Sequence, residues 1–307
     1  MPAFAERRAI IQAMNRRPSP LQTGRAGGPH GRVSSWSAIL LLAAGSLAAC
    51  AVPPPPPPPP VAGAAEILAA IRPDRIVDLS YAFDRRTIYW PTAQPFRLTS
   101  DFHGRTPGGF FYASNSLCAS EHGGTHLDAP SHFAEAGLGA DQIPPGSLIA
   151  PAAVLDVRAA CAADPDRAAT VEDVRAYEAE HGTIPEGAVA ILFTGWGARW
   201  PDRKSYLGDD TPGDASRLHF PGFSAEAATF LAMERRVAGL GIDTASIDRG
   251  MSRDFQAHQA AAAANVYNLE NLASVDRLPP KGATLIVLPM KIAGGTGAPA
   301  RVIAILP

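Results

Sequence analysis

Cysteine is scarce in this chain: three residues in 307, Cys50, Cys118 and Cys161, with no C-x-x-C pair among them. That excludes a disulfide-built scaffold and a four-cysteine zinc module. Long apolar runs are missing too. The best, W-S-A-I-L-L-L-A-A-G-S-L-A-A at residues 36–49, is too short to cross a bilayer comfortably as a helix. No internal repeat is apparent. There is no basic surplus, with 27 Lys and Arg against 29 Asp and Glu, which argues against a nucleic-acid partner. What is present, at 46% hydrophobic and 18% charged, is enough to bury one full core.

The first 49 residues hold six arginines and one glutamate and lead into that apolar run, the pattern of a secretory signal peptide. The run ends in Leu47, Ala48, Ala49 and Cys50, which resembles the lipobox of bacterial lipoproteins. Residues 1–50 are therefore expected to be a signal peptide, with Cys50 as the lipidated residue. Eight prolines follow, Pro53–Pro60, enough for a stiff polyproline II rod of about 25 Å. Residues 51–63 read as a linker and residues 64–307 as the catalytic domain. Without the leader the net charge falls from -2 to -7. The expectation is an exported, periplasmic protein that meets the membrane only through a lipid anchor. Nothing in the spacing of Cys118 and Cys161 demands a disulfide.

The densest chemistry lies between residues 122 and 132, H-G-G-T-H-L-D-A-P-S-H. Two glycines and a proline make this poor helix material, so it reads as a strand running into a loop. On an extended chain His126 and Asp128 share a face, and His122 falls on it too. Imidazole and carboxylate together suit zinc, and also manganese or iron(II). Zinc is the first expectation, as one or two ions, with manganese as the alternative. A second cluster begins at His258, on a predicted alanine-rich helix, and ends at Glu270.

Together these segments resemble the cyclase family of metal-dependent hydrolases, which includes bacterial kynurenine formamidases and isatin hydrolases. The family signature H-x-G-T-H-x-D-x-P-x-H is met at His122, Gly124, Thr125, His126, Asp128, Pro130 and His132. The later histidine and E-N-L match His258 and Glu270, Asn271 and Leu272, and G-x-D-x-x-S-x-D matches Gly241, Asp243, Ser246 and Asp248. The resemblance implies that His122, His126 and Asp128 ligate a first metal, that Asp128 bridges to a second held by His258 and Glu270, and that His132 shuttles protons. An imidazole titrating near neutrality suits that last role. The resemblance also implies a homodimer or larger homo-oligomer.

Trp90, Phe111 and Trp196 are the candidate substrate-binding aromatics, fitted to stack on an aryl group. Strands are predicted at Arg75–Leu79, Ala153–Val157, Ala188–Thr194, Val237–Ile242 and Thr284–Pro289, with helices near Val171–His181, Ser224–Arg235 and Phe255–Ala264. The fold class is α/β: one swivelling β/β/α-type domain, a mixed sheet with flanking helices. Pro201–Pro221 reads as a long loop, a surface excursion or a cover for the site.

The expected activity is metal-dependent hydrolysis of a small-molecule amide, an aryl formamide or a cyclic amide. Two alternatives stand beside it: kynurenine formamidase in particular, and a non-catalytic periplasmic lipoprotein that binds metal. A proton-handling His132 favours turnover over storage.

Overall fold

The computed structural model of this chain describes residues 71–307. The signal peptide, Cys50, the proline rod and the first residues of the expected domain lie outside the described residues.

Twelve strands occur among the described residues. They are β1 (Ile76–Asp78), β2 (Arg97–Arg105), β3 (Phe111–Cys118), β4 (His126–Asp128), β5 (Ile149–Asp156), β6 (Ala168–Ala169), β7 (Val189–Phe193), β8 (Gly222–Phe223), β9 (Gly239–Ile242), β10 (Tyr267–Glu270), β11 (Lys281–Pro289) and β12 (Gly297–Ile305). Eight form one mixed sheet in the order β1-β12-β11-β5-β7-β9-β10-β4. The run β5-β7-β9-β10 is parallel, and the other pairings are antiparallel. Because β4 also pairs with the start of β12, the sheet curls round and closes on itself.

That closure buries two apolar layers. Inside the curl, Leu127, Ile191, Leu269, Leu285, Val287 and Val302 share one cluster. Outside it, Leu155, Leu192, Leu240 and Ile242 pack against helices through Val174, Leu231, Ala257 and Ala261. Strand β7 is buried at all five positions because both its faces are covered, which is why V-A-I-L-F shows no alternation.

Helices span Arg158–Ala163, Val171–His181, Arg203–Leu207, Ala225–Thr229 and Gln256–Ala263. The second starts where expected, fixed by a capping box between Thr170 and Asp173. Ser224 caps the fourth, its Oγ accepting from the Ala227 amide at 3.1 Å. Instead of running on as an α-helix to Arg235, that helix widens into a π-turn over Phe230–Glu234.

The Pro201–Pro221 segment is a correction to the predicted loop. It contains a helix, and Tyr206, Leu207, Leu218 and Phe220 are buried in a third cluster with Ile88 and Trp196. It is anchored by its own core. Strands β2 and β3 form a separate antiparallel ribbon that sequence periodicity did not reveal. Cys118 is exposed at the end of that ribbon and Cys161 is buried in the second layer, both as free thiols.

Candidate metal centre

Strand pairing assembles the site. His126 and Asp128 point from one face of β4, and β10 lies beside it with Glu270 opposite His126. On the other side of β4, Gly297 of β12 stands opposite Asp128. His122 precedes β4 by a turn at Gly123 and Gly124, where Gly124 has φ +57°, a conformation that favours glycine. His258 enters from the helix Gln256–Ala263. The five expected ligands, separated by up to 148 positions, meet in one place.

The hydrogen bonds around each ring fix what it can offer. His126 Nδ1–H donates to the Gly124 carbonyl at 2.9 Å, which leaves Nε2 as a lone pair. That Nε2 is buried without a hydrogen-bond partner, 3.1 Å from Asp128 Oδ1 and 3.5 Å from Glu270 Oε2. His258 Nδ1–H donates to Asp248 Oδ2 at 2.7 Å, and its Nε2 faces Asp128 Oδ2 at 3.2 Å and Glu270 Oε1 at 3.1 Å. His122 Nε2 lies 2.9 Å from Thr296 Oγ1, and its Nδ1 faces Asp128 Oδ1 at 2.6 Å.

Three imidazole faces thus converge on two buried carboxylates. Lone pairs aimed at carboxylate oxygens at these distances need positive charge between them, a metal ion or protons. The donor set suits a divalent metal, since donor atoms of His126, Asp128 and Glu270 all lie within 4.8 Å of one another. Asp128 spans the cluster, with Oδ1 toward His122 and His126 and Oδ2 toward His258.

Without a cation, protons take that place. Burial opposes charge on His126, yet the Asp128 carboxylate and the Glu270 charge lift its pKa to about 9. Burial opposes charge on His258 as well, and hydrogen bonds to Asp128, Asp248 and Glu270 raise it well above the ordinary value. Burial works to raise Asp128, but the surrounding imidazoles hold it well below the carboxylate range. Glu270 is pushed up by burial and by the Asp128 charge.

His132 follows β4 on the short turn Pro130–His132 and stacks on His122, ring centroids 3.8 Å apart. Burial drives its pKa down to about 4, against the pull of Asp128 and with the nearby imidazoles adding to the fall. The expectation of a ring titrating near neutrality is corrected for the metal-free site. At pH 7 His132 is a neutral ring that can accept a proton but is costly to charge.

A cavity of about 320 Å³ opens above these groups. Trp90, Phe133 and Phe255 form its aromatic wall, with ring centroids of Phe255 lying 5.9 Å from Trp90 and 5.5 Å from Phe133. Of the three aromatics named from sequence, Trp90 lines the cavity. Trp196 does not: it is buried in the third cluster, its Nε1–H donating to the Tyr206 carbonyl at 2.7 Å and the Arg199 guanidinium covering its ring. Phe111 is also outside the cavity, 61% exposed on the ribbon. Phe133, Phe255 and the supporting Asp248 carried no role in the sequence reading. Phe133 adjoins the motif, which was a usable signal; Phe255 was visible only as a helix start.

The Cyclase family model, described as "Putative cyclase", matches residues 77–249. The chain belongs to the cyclase family of metal-dependent hydrolases. Among its relatives, an isatin hydrolase of Roseibium aggregatum is 35% identical over 238 residues, covering 71% of this chain and 88% of that protein. A kynurenine formamidase of Salinibacter ruber is 30% identical over 233 residues, covering 74% and 96%. The solved structure of isatin hydrolase A from Ralstonia solanacearum superposes with a TM-score of 0.73 at 32% identity, covering 82% of this chain and 100% of that one. This cyclase-family chain shares the mixed, curled sheet of that structure.

Proposed function

We propose that this chain hydrolyses the C–N bond of a small aryl amide, with a cyclic lactam of the isatin type as the first substrate class and an N-formyl aryl amide as the second. One observation carries the reading: imidazole lone pairs and two carboxylates converge beneath a cavity walled by Trp90, Phe133 and Phe255. The names of the relatives, isatin hydrolase and kynurenine formamidase, set the order of the two classes.

Zinc is proposed as the metal, with manganese as the alternative. His122, His126 and Asp128 would hold a first ion, and Asp128, His258 and Glu270 a second. Bound there, a divalent ion lowers the pKa of water toward about 7 and polarises a carbonyl. The residues do the rest. Asp128 and Glu270, both buried at the foot of the cavity, balance positive charge there. The aromatic wall receives the flat aryl group and excludes bulk water from the reacting carbon. His132, beside His122, takes a proton from the attacking water and returns it to the departing nitrogen. The water oxygen bonds to the carbonyl carbon, the C–N bond breaks, and the products are a carboxylate and a free amine nitrogen.

The sequence around residues 36–60 supports export and anchoring through Cys50, which labelling with a radioactive fatty acid and its loss in Cys50→Ser would test. Assembly into a homo-oligomer is proposed from the ribbon, where Leu98, Phe110, Phe111 and Leu117 are each about 60% exposed. Light scattering of wild type and Phe111→Ser tests it.

The deciding experiment is turnover of isatin, N-formylkynurenine and simple lactams by zinc- and manganese-loaded protein, beside His132→Ala. Turnover of an aryl amide that collapses in His132→Ala with metal content unchanged is the expected result. Tight metal binding with no turnover on any substrate would overturn the hydrolase in favour of a metal-binding lipoprotein.

A further inference from the structure

Near the end of the chain, Gly294-Gly295-Thr296-Gly297 connects β11 to β12 and lies against His122. This stretch falls outside the segment that the family model matches. Gly297 has no room for a side chain: a Cβ there would overlap the His122 ring. One face of that ring carries His132. His122 is thus held by His132 and by the close backbone of Gly297, and its outer edge meets the Thr296 hydroxyl.

The direction of the hydrogen bonds at that edge is determined. Glu121 Oε2 accepts from the Thr296 amide at 3.0 Å and from the Thr296 hydroxyl at 2.9 Å. A hydroxyl that donates to a carboxylate has only lone pairs left, so at 2.9 Å it must accept from His122 Nε2–H. His122 is then left with Nδ1 for the inner side, toward Asp128.

We infer that Thr296 and Glu121 are positioning residues that lock His122 in its Nε2–H tautomer, so that Nδ1 is the metal-facing nitrogen. The inference rests on the metal-binding part of the proposed function and on nothing about its substrate. Of the other histidines around Asp128, His126 and His258 have their inner-facing nitrogen set in the same way, by a carbonyl at Gly124 for His126 and by Asp248 for His258. For His122 the device comes from 174 positions downstream, carried there by the pairing of β12 with β4. Outer partners of this kind fix ring orientation and tautomer, and losing one costs about 10- to 100-fold in metal affinity.

The test is zinc affinity by chelator competition, with the visible spectrum of the cobalt-substituted protein, in wild type, Thr296→Val, Thr296→Ser and Glu121→Gln. Thr296→Val keeps the shape and removes the hydroxyl; the expected result is affinity weaker by about 10-fold or more and an altered cobalt spectrum. Thr296→Ser restores the hydroxyl and should return both to within about threefold of wild type, which a merely structural role for the loop would not produce. Where Thr296→Val does not fold, Glu121→Gln, with the serine variant as control, carries the same comparison. Nitrogen-15 shifts of His122 in the zinc-loaded protein should show Nε2 protonated. Wild-type affinity and spectrum in Thr296→Val, or an Nδ1–H tautomer in the loaded protein, overturns the inference. Turnover is not read, so a chain that binds zinc but hydrolyses nothing counts against the proposed substrate and leaves this relay standing.

Discussion

Asp248 holds His258 twice: its Oδ2 accepts from the His258 ring at 2.7 Å and from the His258 backbone amide at 3.1 Å. Its Oδ1 accepts from the Ala257 amide at 3.1 Å. One carboxylate therefore caps the helix Gln256–Ala263 and aims that helix's imidazole at Asp128 and Glu270. Asp248→Asn offers one acceptor oxygen where both are used and turns its NH2 toward an N–H donor in either orientation, so stability should fall by about 1–3 kcal/mol and metal affinity by about 10-fold or more. Asp248→Ala should lose both. Thermal melts of the metal-free proteins alongside zinc competition check this; equal affinity in Asp248→Asn and wild type would count against the ring-support role.

Metal removal should be visible in stability as well as in activity. An ion supplied at about 100 times its Kd stabilises the folded state by about 2.7 kcal/mol. For a chain of this size that corresponds to a Tm rise of roughly 5–10 °C. Calorimetry with zinc and with excess chelator should show that difference in wild type and its near disappearance in His126→Ala. An unchanged Tm on chelation would mean that no ion links β4 to β10.

How far was this legible in the sequence? The motif from His122 to His132 was, because its ligand types are local and its glycines and proline exclude a helix. Strands β5, β7, β9 and β11 and the helix Val171–His181 were also readable from apolar runs and capping residues. Strand β12 was not, since Gly297 and Pro299 open it with breakers that only its place beside β4 explains. Strand β10 puts Asn268 and Glu270 in full burial, a pattern that makes sense only beside Asp128 and His126. Thr296 and Trp196 show the same limit in opposite directions. The first is made important, and the second is withdrawn into the core, by contacts with residues distant in the chain or across a turn.

The Glu178–Arg235 pair gives a pH test away from the metal site. It pins the helix Val171–His181 to the end of the π-turn, with Arg235 Nε donating to Glu178 Oε1 at 2.6 Å and the Ile184 amide donating to the same oxygen at 3.0 Å. The Arg235 hydrogen bond outweighs burial and holds the Glu178 carboxyl below its ordinary pKa. A depressed carboxyl pKa contributes stability above the unfolded value and loses it as pH falls through the folded one. Glu178→Gln should therefore cost about 1–2 kcal/mol at pH 7, with the gap closing below about pH 4. Urea unfolding at pH 7 and pH 3 measures it; a gap of equal size at both would remove the ion pair as its cause.

The two tryptophans first grouped as substrate-binding should behave as different kinds of residue. Trp90 faces the cavity and touches Phe220 and Phe255 at ring distances of 6.4 and 5.9 Å, so its loss removes a stacking surface from an otherwise intact wall. Trp90→Ala should raise KM for an aryl amide by about 2- to 10-fold with a smaller change in kcat, since one aromatic contact is worth about 0.5–1.5 kcal/mol. Trp196 is 3% exposed in a packed cluster and spends its indole N–H on the Tyr206 carbonyl. Trp196→Ala should instead cost about 3–5 kcal/mol of stability through the void it leaves, with KM of the folded fraction unchanged. Steady-state kinetics and chemical denaturation on the same two variants separate the roles. If Trp196→Ala raises KM at unchanged stability, the wall of the cavity extends further toward β7 than its lining residues indicate.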